Sequence, residues 1–161
     1  MTVDKAKRPA DYAKGIIQVG IVVEDLDSAV QGMREVFDME PDLIRDMDYP
    51  TVEYRGEETA GRVRVAMFNQ FGVQLEFMQP IGEGDSVWRD HLKDGKPASG
   101  LHHIRFSDVD DNDVFSQAMA SRGVEVLQEG ASIVNPGAKF TYYDTADRFG
   151  FITEVVTKAS K

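Results

Sequence analysis

Residues 16–30 read IIQVGIVVEDLDSAV. The opening stretch, 16–23, is rich in β-branched residues, and a strand sends successive side chains to opposite faces. Ile17, Val19, Ile21 and Val23 form one apolar face, which leaves Gln18 on the other. Asp25 is placed to cap a helix that runs to about residue 38. Leu26, Ala29, Val30, Met33 and Phe37 recur there at helical spacing. A strand feeding an amphipathic helix needs more strands to complete a sheet, and the chain supplies them. Residues 41–54 are weakly strand-like, 55–61 (RGEETAG) read as a polar turn, and 62–69 and 73–78 are two alternating runs.

The same order recurs further on. After a loop at 80–84, a short helix at 85–93 and a linker at 94–100 (DGKPASG), a strand opens at 101–107 (LHHIRFS). A helix follows from about 111 to 122, with Gly123 as a left-handed stop, then strands at 124–127, 140–143 and 151–156. The pattern predicts an α+β protein made of paired βαβββ modules, about 15–80 and 100–157. They form one domain over 15–161 behind a flexible lead-in at 1–14. Neither module covers both faces of its sheet alone. Joined, they give a curved, partly open mixed sheet with helices on the outer face and a concave inner face suited to a site.

Charge and composition narrow the function. The 161 residues carry 18 Lys and Arg against 28 Asp and Glu, a net −10. Such a surface repels phosphate backbones and anionic lipid, so nucleic acid and membrane are not expected partners. Cysteine is absent, which removes thiol nucleophiles, Cys-ligated zinc, iron–sulfur clusters and disulfides from consideration. Residues 1–15 lack the apolar core of a signal peptide, and no run approaches the ~20 apolar residues of a membrane span. The expected location is the cytoplasm.

Strand parity picks out four polar residues. Gln18 opposes the apolar set of its strand, Glu76 opposes Val73, Leu75 and Phe77, and His103 with Arg105 opposes Ile104 and Phe106. Glu154 opposes Phe151 and Val155. Two of the four sit on the opening strand of each half and two on a late strand of each half. If a pseudo-two-fold axis relates the halves, an amide, an imidazole and two carboxylates converge, an N/O donor set for one divalent metal ion with positions left for substrate. Taken singly, each of these residues is more often a solvated or packed side chain.

At these residues the sequence resembles the vicinal oxygen chelate superfamily, which includes glyoxalase I, methylmalonyl-CoA epimerase, extradiol dioxygenases and bleomycin-resistance proteins. The matching stretches are IIQVGIVVEDLDSAV, VQLEFMQP, WRDHLKDGKPASGLHHIRF, RGVEVLQEG and TYYDTADRFGFITEVV, nearly the whole chain after Lys14. The resemblance implies metal ligands at Gln18, Glu76, His103 and Glu154, with His102 facing the helices. It also implies a homodimer. Gln first, with Glu, His and Glu following, is similar to the zinc form of glyoxalase I and unlike the two-His, one-carboxylate set of iron dioxygenases. Where glyoxalase I carries the Arg and Asn that grip glutathione, this chain has Val22 and Pro80. The WRDHL, GLHHI and GVEVLQEG stretches look closer to methylmalonyl-CoA epimerase, though those epimerases usually carry His first and Gln second.

The expected activity is therefore that of a metal-dependent isomerase, epimerase or lyase. It would use Zn, Ni, Co or Mn and act on an acyl-CoA or another thioester or hemithioacetal. A proton is lost next to a carbonyl, with Glu154 and Glu76 as the candidate bases. Arg105, Arg64 and Tyr143 are the candidate substrate contacts, and Glu57 or Glu58 is a looser second base. The alternatives are a metal-free binding protein of the bleomycin-resistance kind and an Fe(II) dioxygenase on the same fold.

Overall fold

A computed structural model describes residues 8–93 and 100–158. The linker expected at 94–100 lies outside the described residues except for Gly100. So does the first half of the expected lead-in.

The chain begins with a helical turn, α1 (Pro9–Tyr12), and passes into β1 (Ile16–Val22) and α2 (Leu26–Phe37). Asp25 caps α2, its side chain accepting from the Ser28 amide, and Asp38 ends it with a left-handed φ of 54°. A long hairpin follows, β2 (Leu43–Tyr54) and β3 (Glu57–Phe68). The turn expected over 55–61 shrinks to Arg55-Gly56, at φ 51° and 82°. Two consecutive left-handed residues twist as the flanking strands do, so pairing continues almost to the tip. The first module closes with β4 (Gln74–Pro80), and α3 (Val87–Asp90) leads towards the second. That module is β5 (Gly100–Phe106), α4 (Asn112–Ala120), β6 (Val126–Ala131), β7 (Lys139–Tyr143), the short α5 (Ala146–Phe149) and β8 (Ile152–Val156).

The paired βαβββ modules are as the pattern predicts, but the sheet is not left partly open. It closes into a barrel in the order β1-β4-β3-β2-β6-β7-β8-β5. Within each module the first and last strands are parallel, β1 with β4 and β5 with β8. Two antiparallel seams join the modules. One runs along β1 and β5 from Ile16 opposite Phe106 to Val22 opposite Gly100. The other is short, Val52–Tyr54 against Gln128–Gly130. Gly130 permits this second closure, since a Cβ there would stand 3.0 Å from side-chain atoms of both Val52 and Phe140.

Apolar burial divides into an interior and two outer clusters. Val22, Val63, Val65, Tyr142 and Trp88, the last contributed by α3, belong to the interior. α2 covers one outer face through Leu26, Val30 and Met33 against Ala66 and Phe68. α4 covers the other through Phe115 and Met119 against Tyr143 and Val155, with Tyr12 of α1 packed alongside. Among the described residues no helix is long and apolar enough to cross a membrane.

Candidate active site in the barrel interior

Four adjacent strands, β4, β1, β5 and β8, set the site. On the antiparallel seam Gly20 lies opposite His103 and Gln18 opposite Arg105. On the parallel pairs Gly20 is level with Glu76, and Arg105 with Glu154. All five polar side chains therefore point into the same interior. Nε2 of His103 stands 3.0 Å from Oε1 of Gln18, 3.1 Å from Oε2 of Glu154 and 3.5 Å from Oε2 of Glu76. Each of the four residues is nearly sealed from solvent, His103 at 0 % exposure.

Glycine at position 20 makes this possible. A Cβ there would lie 2.0 Å from Cε1 of His103 and 2.4 Å from its Nε2, so the imidazole rests directly on the backbone of β1. Gln18 is held from behind. Its amide nitrogen donates to Oε1 of Gln74, whose own amide donates to Oδ1 of Asn69, and this turns the Gln18 oxygen towards His103.

Burial pushes the Glu76 carboxyl up to about 7; the charge of Glu154 adds to the rise while His103 and Arg105 oppose it. Burial by itself would lower the His103 imidazole, but Glu154 and Glu76 outweigh it and the net shift is upward. Among the described residues, Oε2 of Glu154 is buried without a hydrogen-bond partner, though it makes an ion-pair contact at 3.1 Å with Nε2 of His103. Arg105 lines the same cavity and is steadied by Asp108, 2.8 Å from its Nη2.

The donor set suits a divalent cation in its chemistry: one imidazole nitrogen, one amide oxygen and two carboxylates. The 3.0–3.5 Å spacings from Nε2 match those between neighbouring ligands of one ion bound at about 2.1 Å, and the orphaned oxygen of Glu154 is an atom such an ion would satisfy. Among the described residues no group of three or more His, Asp or Glu stands ready-made around a vacant centre. Imidazole and carboxylates contact one another instead, and the amide of Gln18 is the further donor.

The cavity measures about 140 Å³. Its walls are apolar and aromatic, with Met47, Met67, Met78, Tyr49, Trp88 and Phe140 facing the polar group. Two of the expected substrate contacts are elsewhere. Arg64 projects outward and pairs with Asp27 of α2 at 3.1 Å. Tyr143 belongs to the α4 cluster, its hydroxyl 2.7 Å from that of Ser116, because strand parity sends it away from its neighbour Tyr142, which does line the cavity. Glu57 and Glu58 are exposed on β3 beside the hairpin tip.

His102 also departs from expectation. Between Gly20 opposite His103 and Ile21 opposite Leu101, β5 carries one extra residue, a bulge at His102. The bulge turns the ring inward, against Tyr142 and the Val87 carbonyl, rather than towards α2 and α4. Simple alternation cannot foresee this. The adjacent His pair was the available signal.

Residues 17–142 match the glyoxalase/bleomycin resistance protein/dioxygenase superfamily, and the chain belongs to it. This is the vicinal oxygen chelate fold. Among solved structures, methylmalonyl-CoA epimerase from Mycobacterium tuberculosis superposes with a TM-score of 0.64 at 20% identity, covering 92% of this chain and 91% of that one. A variant of the Streptomyces coelicolor epimerase in complex with 2-nitronate-propionyl-CoA gives 0.64 at 24% identity, covering 92% and 99%. A methylmalonyl-CoA epimerase in complex with methylmalonyl-CoA and NH4+ gives 0.63 at 24% identity, covering 92% and 96%. At these identities the likeness establishes the fold. No curated protein matches the sequence.

Proposed function

We propose that the protein is an epimerase-type isomerase that takes and returns a proton on the carbon next to a thioester carbonyl, with an acyl-CoA as substrate. One observation carries the reading: two buried carboxylates, both lining a small cavity walled largely by methionines and aromatic rings, flank a single imidazole nitrogen. A space of about 140 Å³ is close to the roughly 150 Å³ that holds benzene. It suits the short acyl head of a thioester, with the bulky carrier left outside. The fold neighbours in complex with methylmalonyl-CoA and 2-nitronate-propionyl-CoA support that substrate class.

Gln18, Glu76, His103 and Glu154 would hold one divalent cation of the Zn, Ni, Co or Mn type. When bound, it supplies Lewis-acid stabilisation of negative charge at the carbonyl oxygen, worth several kcal/mol. The chain's own groups do the rest. Arg105 offers a guanidinium to a carboxylate on the acyl head. Glu76 offers a carboxylate inside the cavity, 3.5 Å from Nε2 of His103, for taking and returning a proton. Glu154 comes from the other module and offers a second carboxylate for delivery of a proton to the opposite face. Met47, Met67 and Met78 exclude water from the carbanionic centre.

The test is deuterium incorporation from D₂O into the α-carbon of methylmalonyl-CoA by protein loaded in turn with Zn²⁺, Ni²⁺, Co²⁺ and Mn²⁺. Incorporation that vanishes with chelator and in Glu76→Gln supports the reading. Absence of exchange under all four metals, with this and other 2-substituted acyl-CoAs, sinks it. Assembly as a homodimer is part of the same proposal, to be read by light scattering.

A further inference from the structure

The ring of His102 is 1 % exposed, and both of its nitrogens face a named partner. Its Nε2 is 3.0 Å from the carbonyl oxygen of Val87. A carbonyl only accepts, so that nitrogen carries a proton. Its Nδ1 is 2.9 Å from Nδ1 of His103. Two ring nitrogens at that distance share one proton. With Nε2 of His103 as the ligating atom, a ring lacking a proton on Nδ1 would be an imidazolate, so the shared proton sits on Nδ1 of His103. Nδ1 of His102, whose own proton is on the Nε2 that faces Val87, is then the acceptor.

We propose that His102 is a positioning residue: locked by the Val87 carbonyl, it accepts the Nδ1 proton of His103 and thereby leaves Nε2 of His103 as the atom turned to the cation that Gln18, Glu76 and Glu154 would share with it. The inference rests on the reading of His103 as a ligand in the proposed function. A ligating histidine normally gives its second N–H to a carboxylate, a backbone carbonyl or water. Here that place is taken by a second imidazole, which the bulge in β5 turns to the same side.

The anchor continues inward. The Val87 amide donates to Oε1 of the fully buried Gln128, 3.0 Å away, so the residue whose carbonyl orients His102 is itself anchored. Ser86 caps the turn by accepting from the Arg89 amide. The line Gln128, Val87, His102, His103 thus ends at the catalytic floor, and every step has one permitted direction of donation. Tyr142 lies edge-on to both rings, with centroids 5.9 and 5.2 Å away, and blocks their rotation.

The test needs no substrate. In ¹⁵N-labelled protein, with and without Zn²⁺, a scalar coupling across the hydrogen bond should link Nδ1 of His102 to Nδ1 of His103, with the proton on the His103 side. Calorimetric Zn²⁺ titration should show His102→Phe binding 10–100-fold more weakly. His102→Gln, with an oxygen to accept and an amide to donate to Val87, should recover most of the affinity and the low-field proton. A proton on Nδ1 of His102 in the wild-type spectrum would overturn the proposal, as would His102→Phe binding Zn²⁺ as tightly as wild type. If His102→Phe does not fold, the wild-type coupling and His102→Gln decide. A lack of deuterium exchange with acyl-CoA would defeat the epimerase reading and leave this result standing. Wild-type protein that shows the coupling but binds no Zn²⁺ would overturn the ligand role.

Discussion

The two parallel strand pairs, β1–β4 and β5–β8, are built to one plan and differ most at the position level with the glutamate. In each pair a polar head on the first strand is followed two residues later by the position level with the glutamate: Gln18, then Gly20 beside Glu76; His103, then Arg105 beside Glu154. Across the seam Gly20 faces His103 and Arg105 faces Gln18. The second pair fills its level position with a long cation. The first empties it, and the imidazole occupies the room. The supports differ as well. Gln18 is backed by Gln74 and Asn69, a chain that ends at the exposed rim, whereas His103 is backed by His102 and the α3 backbone deep inside. Near-symmetry brings four heads together, and one missing side chain decides which head stands at the middle.

Filling the gap should break this arrangement most severely. Gly20→Ala sets a methyl 2.0 Å from Cε1 of His103, so the ring must swing off the donor set. We expect proton exchange to fall at least ~10³-fold and Zn²⁺ affinity to drop with it, measured by deuterium incorporation and calorimetry. Wild-type exchange in this variant would remove Gly20 from the account.

Next come the paired carboxylates. Glu76→Gln and Glu154→Gln should each slow exchange by about 10²–10⁴-fold, as loss of a proton-transfer group does. If one carboxylate serves both faces, single-turnover exchange of the two substrate epimers would be slowed equally by one variant and spared by the other.

The stability of metal-free protein offers a sharper discrimination. Glu76 has a folded-state pKa of about 7, above its ordinary 4.5, and that of His103 is raised above 6.5. Both groups bind protons more tightly when folded. Their contribution is complete at low pH and is lost as pH rises through the folded values. Stability, followed by the melting temperature, should therefore fall between about pH 5 and 8, on the order of 3 kcal/mol of it from Glu76. Glu76→Gln should flatten that part of the curve. A melting temperature that climbs across this window would contradict the burial described.

The smallest effects belong to residues outside the interior. Arg64→Ala breaks a half-exposed pair with Asp27 and should cost under ~1 kcal/mol with exchange unchanged. Tyr143→Phe loses its bond to Ser116, for about 1 kcal/mol of stability and unaltered exchange.

These contrasts also show what the sequence could reveal. Alternation alone places Gln18, Glu76, His103, Glu154 and Arg105 on the inner face, because each lies in a strand whose opposite face is apolar. The helix cap at Asp25 is legible because it too depends only on residues close in sequence. What local pattern cannot show is any event that shifts register. The bulge at His102 reverses one side chain, and the two-residue turn at Arg55-Gly56 lengthens a hairpin that polar composition suggested would end early. Arg64 is outside by the same alternation: Val63 and Val65 on either side of it fill the interior, so its side chain goes out and meets Asp27 of α2. Gly20 carried a signal in the open, a glycine in mid-strand on the same face as Gln18, the usual mark of a close approach.

The brief closure between β2 and β6 has a mechanical consequence. Residues 43–49 of β2 are laced to β3 on one side, while β6 meets the strand only at its far end. Met47 and Tyr49, which border the cavity, belong to that loosely fastened length. On that side the cavity wall is a strand hydrogen-bonded along one edge only, while the β1–β5 spine keeps the acidic and imidazole heads in register.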